Sequence, residues 1–345
     1  LESQDANGAL STVVGEEGGG RGVSWPDCEG GVEESGVKSI LGDDGGSNGV
    51  CDDMYRRLQQ FALAAINEAS DLKNQQRSFL ILDTALAVPA MTHSRTMCEH
   101  GFLSHWDIGG KKPYQRYADF AYGQHVSEVI FGSDVEEVNE NQIKDKIKEW
   151  IDERARPEVV DDRLSDINHL LDRFHTHLAI GVCTEYGQLR YVEVYADRYL
   201  ELMNAPSVEI SVSDDSSGFN VSVQNSGADI GPYACLVFHD PVATPLTVGE
   251  LQQQFRGPYS DFTASQVAVV WPWQMDVLKG GVFNIPVSVS PMEAGTYYVK
   301  ILVRSDLDNI PYDINPPGGL PLPGDSFYGA ALVIKVPEEN TACLG

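Results

Sequence analysis

Zinc chemistry needs three or four nitrogen, sulfur or oxygen donors around one ion, and a catalytic site adds an open position for water. The chain has eight histidines, with His93, His100, His105, His175 and His177 lying in one stretch. None has the His-Glu-x-x-His spacing that puts two ligands on one helical face. His175 and His177 alternate, so a strand would turn both to one side; with His93 and His100 they are expected as surface or hydrogen-bonded polar groups. Asp306, Asp308, Asn309 and Asp313 supply the oxygen donors calcium prefers, without the spacing of an EF-hand. No Gly-x-Ser-x-Gly elbow is present. The glycine clusters near the start lack the Lys-Ser or Lys-Thr that completes a phosphate loop.

The cysteines Cys28, Cys51, Cys98, Cys183, Cys235 and Cys343 are even in number and show no Cys-x-x-Cys pair. This usage suits disulfides formed in an oxidising compartment. Two cysteines fall in each of three segments, which favours Cys28 with Cys51, Cys98 with Cys183, and Cys235 with Cys343 among the many connectivities open to six. Such pairing leaves no spare thiol as a nucleophile. Asn220-Val221-Ser222 is a glycosylation sequon, in keeping with secretion.

These groups must be positioned by the fold. A chain of 345 residues, 42% hydrophobic, can bury more than one core, and two folded units are expected. Its net charge of −27 repels nucleic-acid phosphates and anionic membranes. The same acidity attracts divalent cations or basic partners, although most of these carboxylates are expected to be simply solvated. No apolar run approaches the roughly 20 residues of a membrane span. Leu1 is not an initiator methionine, and the chain reads as a soluble, processed form.

Residues 1–50 are rich in glycine and acid. Through Asp53 there are 12 Asp and Glu against 2 Lys and Arg, too little apolar surface to fold alone. This arm is expected to be an attachment element. From Asp52 to about Leu72, Met54, Leu58, Phe61, Ala62, Ala65, Ile66 and Ala69 recur at helical steps. A second helix is expected over Thr84–Glu99, kinked or restarted at Pro89. A third spans Asn141–Arg156, with Ile143, Ile147, Trp150 and Ile151 on one face. Leu178–Val182 and Arg190–Tyr195 read as strands with Gly187 at the turn between them.

Beyond Ala205, short β-branched and aromatic runs recur between turn clusters. They cover Val208–Val212, Phe219–Val223, Ala234–Phe238, Val267–Trp271, Phe283–Val289, Thr296–Val303 and Ala330–Val336. About seven such strands suggest an immunoglobulin- or fibronectin-like β-sandwich. Asn315–Pro323 reads as a stiff, proline-rich loop.

Phe102-Leu103-Ser104-His105 and the stretch from Asn141 to Glu153, with Leu80–Met97 before and Leu178–Tyr195 after, resemble the CAP superfamily in order and spacing. The family comprises the cysteine-rich secretory, antigen 5 and pathogenesis-related proteins. The resemblance covers about residues 52–200. It implies an α-β-α sandwich and a cleft holding two histidines and two acidic residues, in some members with zinc. On this resemblance His105 takes the first histidine's place. Glu128 stands for the glutamate of the Gly-Glu-Asn motif, whose other two residues are missing here. Glu153, or less favourably Glu149, fits the Trp-x-x-Glu motif, and Asp166 or His169 stands at the second histidine. His105 is then the candidate metal ligand.

The expected fold class is α+β, with an arm over 1–50, a CAP-like domain over 51–203 and an all-β immunoglobulin/fibronectin-like sandwich over 204–345. The resemblance implies a secreted, noncatalytic protein that binds extracellular protein or glycan, or assembles with itself as a surface subunit. No cofactor is required, and zinc or calcium are the candidates. The rivals are a metal-dependent hydrolase, with Glu128 or Glu153 as base, and a carrier of small apolar ligands such as lipids.

Overall fold

The computed structural model of the chain describes residues 49–71, 79–120, 123–134, 139–154, 174–204, 218–225, 230–253, 264–289, 293–305 and 327–337. Contacts divide the chain into two units, Leu1–Cys51 and Asp52–Gly345. The described sheets and helices belong to the second, save the first residues of the leading helix. The arm, the strand expected at 208–212, the acidic loop from Asp306 and the proline-rich loop at 315–323 lie outside the described residues.

The first helix, α1 (Gly49–Asp71), buries Leu58, Ala62, Ala65, Ile66 and Ala69 along one face, as the sequence spacing requires. After β1 (Ile81–Leu82), Asp83 caps α2 (Thr84–His100) by accepting from the amides of Ala85 and Leu86 at 3.0 and 3.2 Å. Gly101, at φ 70°, ends it. The helix does not restart at Pro89, one of the two outcomes expected there. Pro89 lies in the second turn and removes one backbone bond. The cap and the burial of Leu86, Ala87, Ala90, Met91 and Met97 hold the remaining turns together.

A short helix α3 (Pro113–Tyr117), the strand β2 (His125–Asp134), α4 (Glu140–Arg154), β3 (His177–Cys183) and β4 (Gln188–Asp197) complete the first layer set. The sheet order is β1-β3-β4-β2, with β1 parallel to β3 and the other pairs antiparallel. Tyr186 and Gly187, at φ 56° and 70°, turn β3 into β4, the paired positive angles a tight hairpin favours.

Helix α2 lies on one face of this sheet and α4 on the other. Trp150 of α4 packs on Phe131 and Tyr191 with ring centroids 4.9 and 5.3 Å away, and these two residues are direct cross-strand neighbours. Arg57 and Glu140 tie α1 to α4 through a salt bridge of 2.8 Å. Cys98 and Cys183 form a disulfide joining the last turn of α2 to the end of β3.

Gly181 of β3 permits the close approach of α2. A Cβ there would come within 2.2 Å of the Ala90 carbonyl oxygen. Gly181→Ala is therefore expected to destabilise the fold by about 1–3 kcal/mol, the usual cost of overpacking. The check is a urea midpoint lowered at unchanged slope; an unmoved midpoint would show that α2 lifts away without cost.

The strands β5 (Leu200–Asn204), β6 (Gly218–Asn225), β7 (Gly231–Asp240), β8 (Ser265–Val270), β9 (Asp276–Val277), β10 (Val282–Ser288), β11 (Gly295–Arg304) and β12 (Phe327–Val336) form two further sheets. A short helix, α5 (Val248–Gln253), lies between β7 and β8. The sheet orders are β5-β6-β10-β9 and β12-β11-β7-β8. Their inner faces share one core, with Val221, Val223, Phe283 and Ile285 meeting Val237, Tyr297, Val299, Ile301 and Ile334. Because β5 pairs with β6, the chain changes sheets between Asp197 and Leu200, a few residues before the boundary expected at 203.

Cys235 corrects a second expectation. It is an unbridged thiol, fully buried in β7 within the shared core, and burial pushes its pKa up to about 12. A mid-strand side chain facing that core is placed for packing. Its expected partner Cys343 lies outside the described residues.

The outer face of the β12-β11-β7-β8 sheet meets the first lobe at α3. Tyr114 stacks on Tyr298 with centroids 4.2 Å apart. Gln115 Nε2 donates to Thr296 Oγ1 at 3.0 Å, and Lys112 Nζ donates to both carboxylate oxygens of Asp240 at 2.7 and 2.8 Å. Lys112 and Asp240 are both buried.

Candidate functional site

The loop after α2 and the strand β2 bring two of the sequence candidates together. His105 Nδ1 lies 3.0 Å from Glu128 Oε1. The neighbouring helix α3 was not anticipated from the sequence, yet it supplies the strongest partners. Arg116 Nη2 and the Tyr117 hydroxyl each donate to Glu128 Oε2 at 2.5 Å. A second arm of the guanidinium donates from Nη1 to the His105 carbonyl at 3.1 Å. Behind them, His93 Nε2 bonds the Ser104 carbonyl at 2.9 Å and fixes the loop that carries His105.

This group is closed to solvent. The Glu128 side chain is 0% exposed, and those of His105 and Arg116 only 6% and 9%. Burial alone would raise the Glu128 pKa, but Arg116 and the nearby histidines outweigh it and hold the carboxyl well below its usual range. Burial would lower that of Arg116, and Glu128 more than reverses this. Burial and then Glu128 push the Tyr117 phenol well up. His93 is driven down to about 3, by burial first and then by Arg116. The arrangement is thus an ion pair of fixed protonation, with Tyr117 and His93 neutral around it.

The remaining candidates sit elsewhere. Glu153 is exposed on α4, and that helix docks through Trp150 on the Phe131 side of the sheet. Phe131 and Glu128 are three residues apart in one strand and so point to opposite faces. Among the described residues, no hydrogen bond or ion pair joins Glu153 to His105 or Glu128. Glu149 is exposed and pairs with Lys146 Nζ at 2.9 Å. Asp166 and His169 lie outside the described residues, as does Cys28, and nothing is described of the Cys51 side chain. Asn220 is exposed on β6. His100 is exposed, His93 is buried, and His175 and His177 bind different partners, Asp197 and Thr176.

Zinc does not fit these donors. Both oxygens of Glu128 are engaged, and the adjoining guanidinium repels a dication. Among the described residues, no group of three or more His, Cys, Asp or Glu side chains is arranged to hold a metal ion.

A second buried cluster was not anticipated from the sequence. The Asp197 carboxylate bonds His125 Nδ1 at 2.8 Å and His175 Nδ1 at 2.7 Å. His125 stands directly opposite Asp197 in the β2/β4 ladder. The available signal was the close of a buried strand on an acid with two histidines at neighbouring strand starts.

No family model matches the chain, and no curated protein matches it either. Among solved structures, it is similar to an outer surface protein from Borrelia burgdorferi, with TM-score 0.31, 14% identity, and coverage of 42% of this chain and 93% of that one. It is also similar to an extracellular protein containing an SCP domain from Bacillus anthracis, with TM-score 0.32, 19% identity, and 43% of each chain covered. A third is NaASP2 with zinc, at TM-score 0.31 and 12% identity over 44% of this chain and 82% of that one.

Proposed function

We propose that the chain is a noncatalytic binding or structural protein of the extracellular space, its partner an extracellular protein, a glycan or another copy of itself. The observation that carries this reading is the state of Glu128. A general base must be deprotonated and also reach a proton on substrate or water. Here the carboxylate is buried and its oxygens are engaged by Arg116, Tyr117 and His105, so the pair braces α3 and the His105 loop against β2. The Cys98–Cys183 disulfide supports an oxidising compartment. Among the described residues, no helix is long and apolar enough to cross a membrane. The charge of −27 argues against a nucleic-acid partner. No metal is required in this reading.

The test is an assay of the purified chain on peptide and ester substrates, with and without a chelator. The expected result is no turnover above buffer, unchanged by Glu153→Gln. Turnover that disappears on chelation or in Glu153→Gln would reverse the reading in favour of a metal-dependent hydrolase.

A further inference from the structure

The chain crosses from the first sheet to the sandwich within three residues, Asp197 to Leu200, and this crossing is held by ionisable groups. Asp197, His125 and His175 are 2%, 5% and 3% exposed, and the two imidazoles bond the two oxygens of the one carboxylate. His175 also stacks on Tyr195, centroids 4.8 Å apart. The next residue, Arg198, pairs with Asp83 and lies 3.3 Å from His177 Nε2. After it, Tyr199 bonds the Phe174 carbonyl through its hydroxyl and the Gly329 carbonyl of β12 through its amide at 3.2 Å. The charged and titratable groups facing His125 are Asp197 on β4, His175 ahead of β3 and Lys300 on β11. Those facing His177 are Arg198, Asp83 and Asp197.

We propose that this crossing is a pH-sensitive hinge: proton uptake by His125 and His175 sets two cations on one carboxylate beside Lys300, and loosens the passage from β4 to β5. With both imidazoles neutral, each donates Nδ1–H to Asp197 and the cluster carries one negative charge. The first proton forms an ion pair with that charge. The second finds it already balanced, with the Lys300 ammonium adding repulsion.

The electrostatics give the sign. Burial holds His125 below its ordinary value, outweighing Asp197, and burial followed by Arg198 does the same to His177. The folded state therefore binds fewer protons than the unfolded state once pH falls below the unfolded histidine value of about 6.5. Stability is lost progressively from there toward the folded values. Asp197, at about 2, stays ionised throughout that window. A protein that binds at neutral pH would thus meet acidic surroundings with its two lobes less firmly joined.

Amide hydrogen exchange of the full chain, corrected for intrinsic rates and compared at about pH 7.5 and about pH 5, reads this locally. The Tyr199 and Thr176 amides, which bond Gly329 and Ala196 across the crossing, are expected to lose protection by at least about tenfold in acid. The interior of the β3/β4 pair should keep its protection. The double variant His125→Gln/His175→Gln, made in a His177→Gln background because His177 is held down by burial at the same crossing, should abolish the response. Asp197→Asn should deepen it, because the charge that offsets protonation is gone. Wild-type protection that is unchanged in acid, or lost equally throughout the first sheet, overturns the proposal. So does an acid response that survives in the double variant or, if that variant does not fold, in both single variants.

Discussion

Glu128→Ala is expected to destabilise the fold by about 3–5 kcal/mol, the cost of breaking a buried ion pair by removing one partner. The change strands Arg116, whose guanidinium is 9% exposed and donates to Glu128 at 2.5 Å. It also removes the acceptor of the Tyr117 hydroxyl. Glu128→Gln should cost less, since an amide oxygen can still accept but supplies no charge. Glu128→Ala with Arg116→Met should recover part of the loss, because no cation is then left buried. Urea unfolding of the wild type, Glu128→Ala, Arg116→Met and the double variant gives the coupling directly. A loss below about 1 kcal/mol for Glu128→Ala, the range of exposed pairs, would mean that water reaches the pair in solution and would reopen a catalytic reading.

How much of this site could be read from the chain differs residue by residue. His105 and Glu128 stood out through the CAP resemblance, His105 after Phe102 and the second helix, and Glu128 as the remaining residue of the Gly-Glu-Asn motif. Arg116 and Tyr117 did not, since they are adjacent residues on a five-residue helix, too short for any periodicity to show which face they present. The spacing of Ile143, Ile147, Trp150 and Ile151 identified the helix, while the Trp-x-x-Glu match put Glu153 in the cleft. The helix's placement was settled by Trp150 seating on Phe131 and Tyr191, a tertiary contact invisible in local spacing. Asp197 was equally silent, because its partners His125 and His175 come from two other segments brought together by strand pairing.

The fold was more legible where burial is one-sided and long. The face of α1 and the isoleucines of α4 recur at helical steps, and β7 and β11 are rich in β-branched and aromatic residues. The strand β2 was harder, for six successive residues from His125 to Ile130 are buried; a strand covered on both faces loses the alternation that marks a half-exposed one. The absence of a restart at Pro89 has a related reason. A local rule prices one lost backbone bond, while the observed helix also has its Asp83 cap and a buried face. For Cys235, an even cysteine count suggested a bridge where the strand's inward register demands a core side chain.

Lys112→Met is expected to match the Glu128→Ala effect, at about 3–5 kcal/mol, and to change how the molecule melts. Lys112 and Asp240 have side chains 4% and 3% exposed and belong to different lobes. Truncating the ammonium leaves the Asp240 carboxylate in a site built for an ion pair. Around that pair, Gln115 bonds Thr296, Tyr114 stacks on Tyr298, and the Leu246 amide bonds the Ile108 carbonyl at 3.0 Å. These contacts couple the α/β layers to the sandwich, so the wild type is expected to show a single calorimetric transition whose van't Hoff and calorimetric enthalpies agree. Weakening the junction should divide that transition, with the less stable lobe melting first. Lys112→Met with Asp240→Leu should restore much of the lost stability, since an apolar pair of similar size needs no desolvated charge. A wild type that already melts in two steps, or a Lys112→Met variant as stable and cooperative as its parent, would show that the lobes are joined by their covalent crossing more than by this pair.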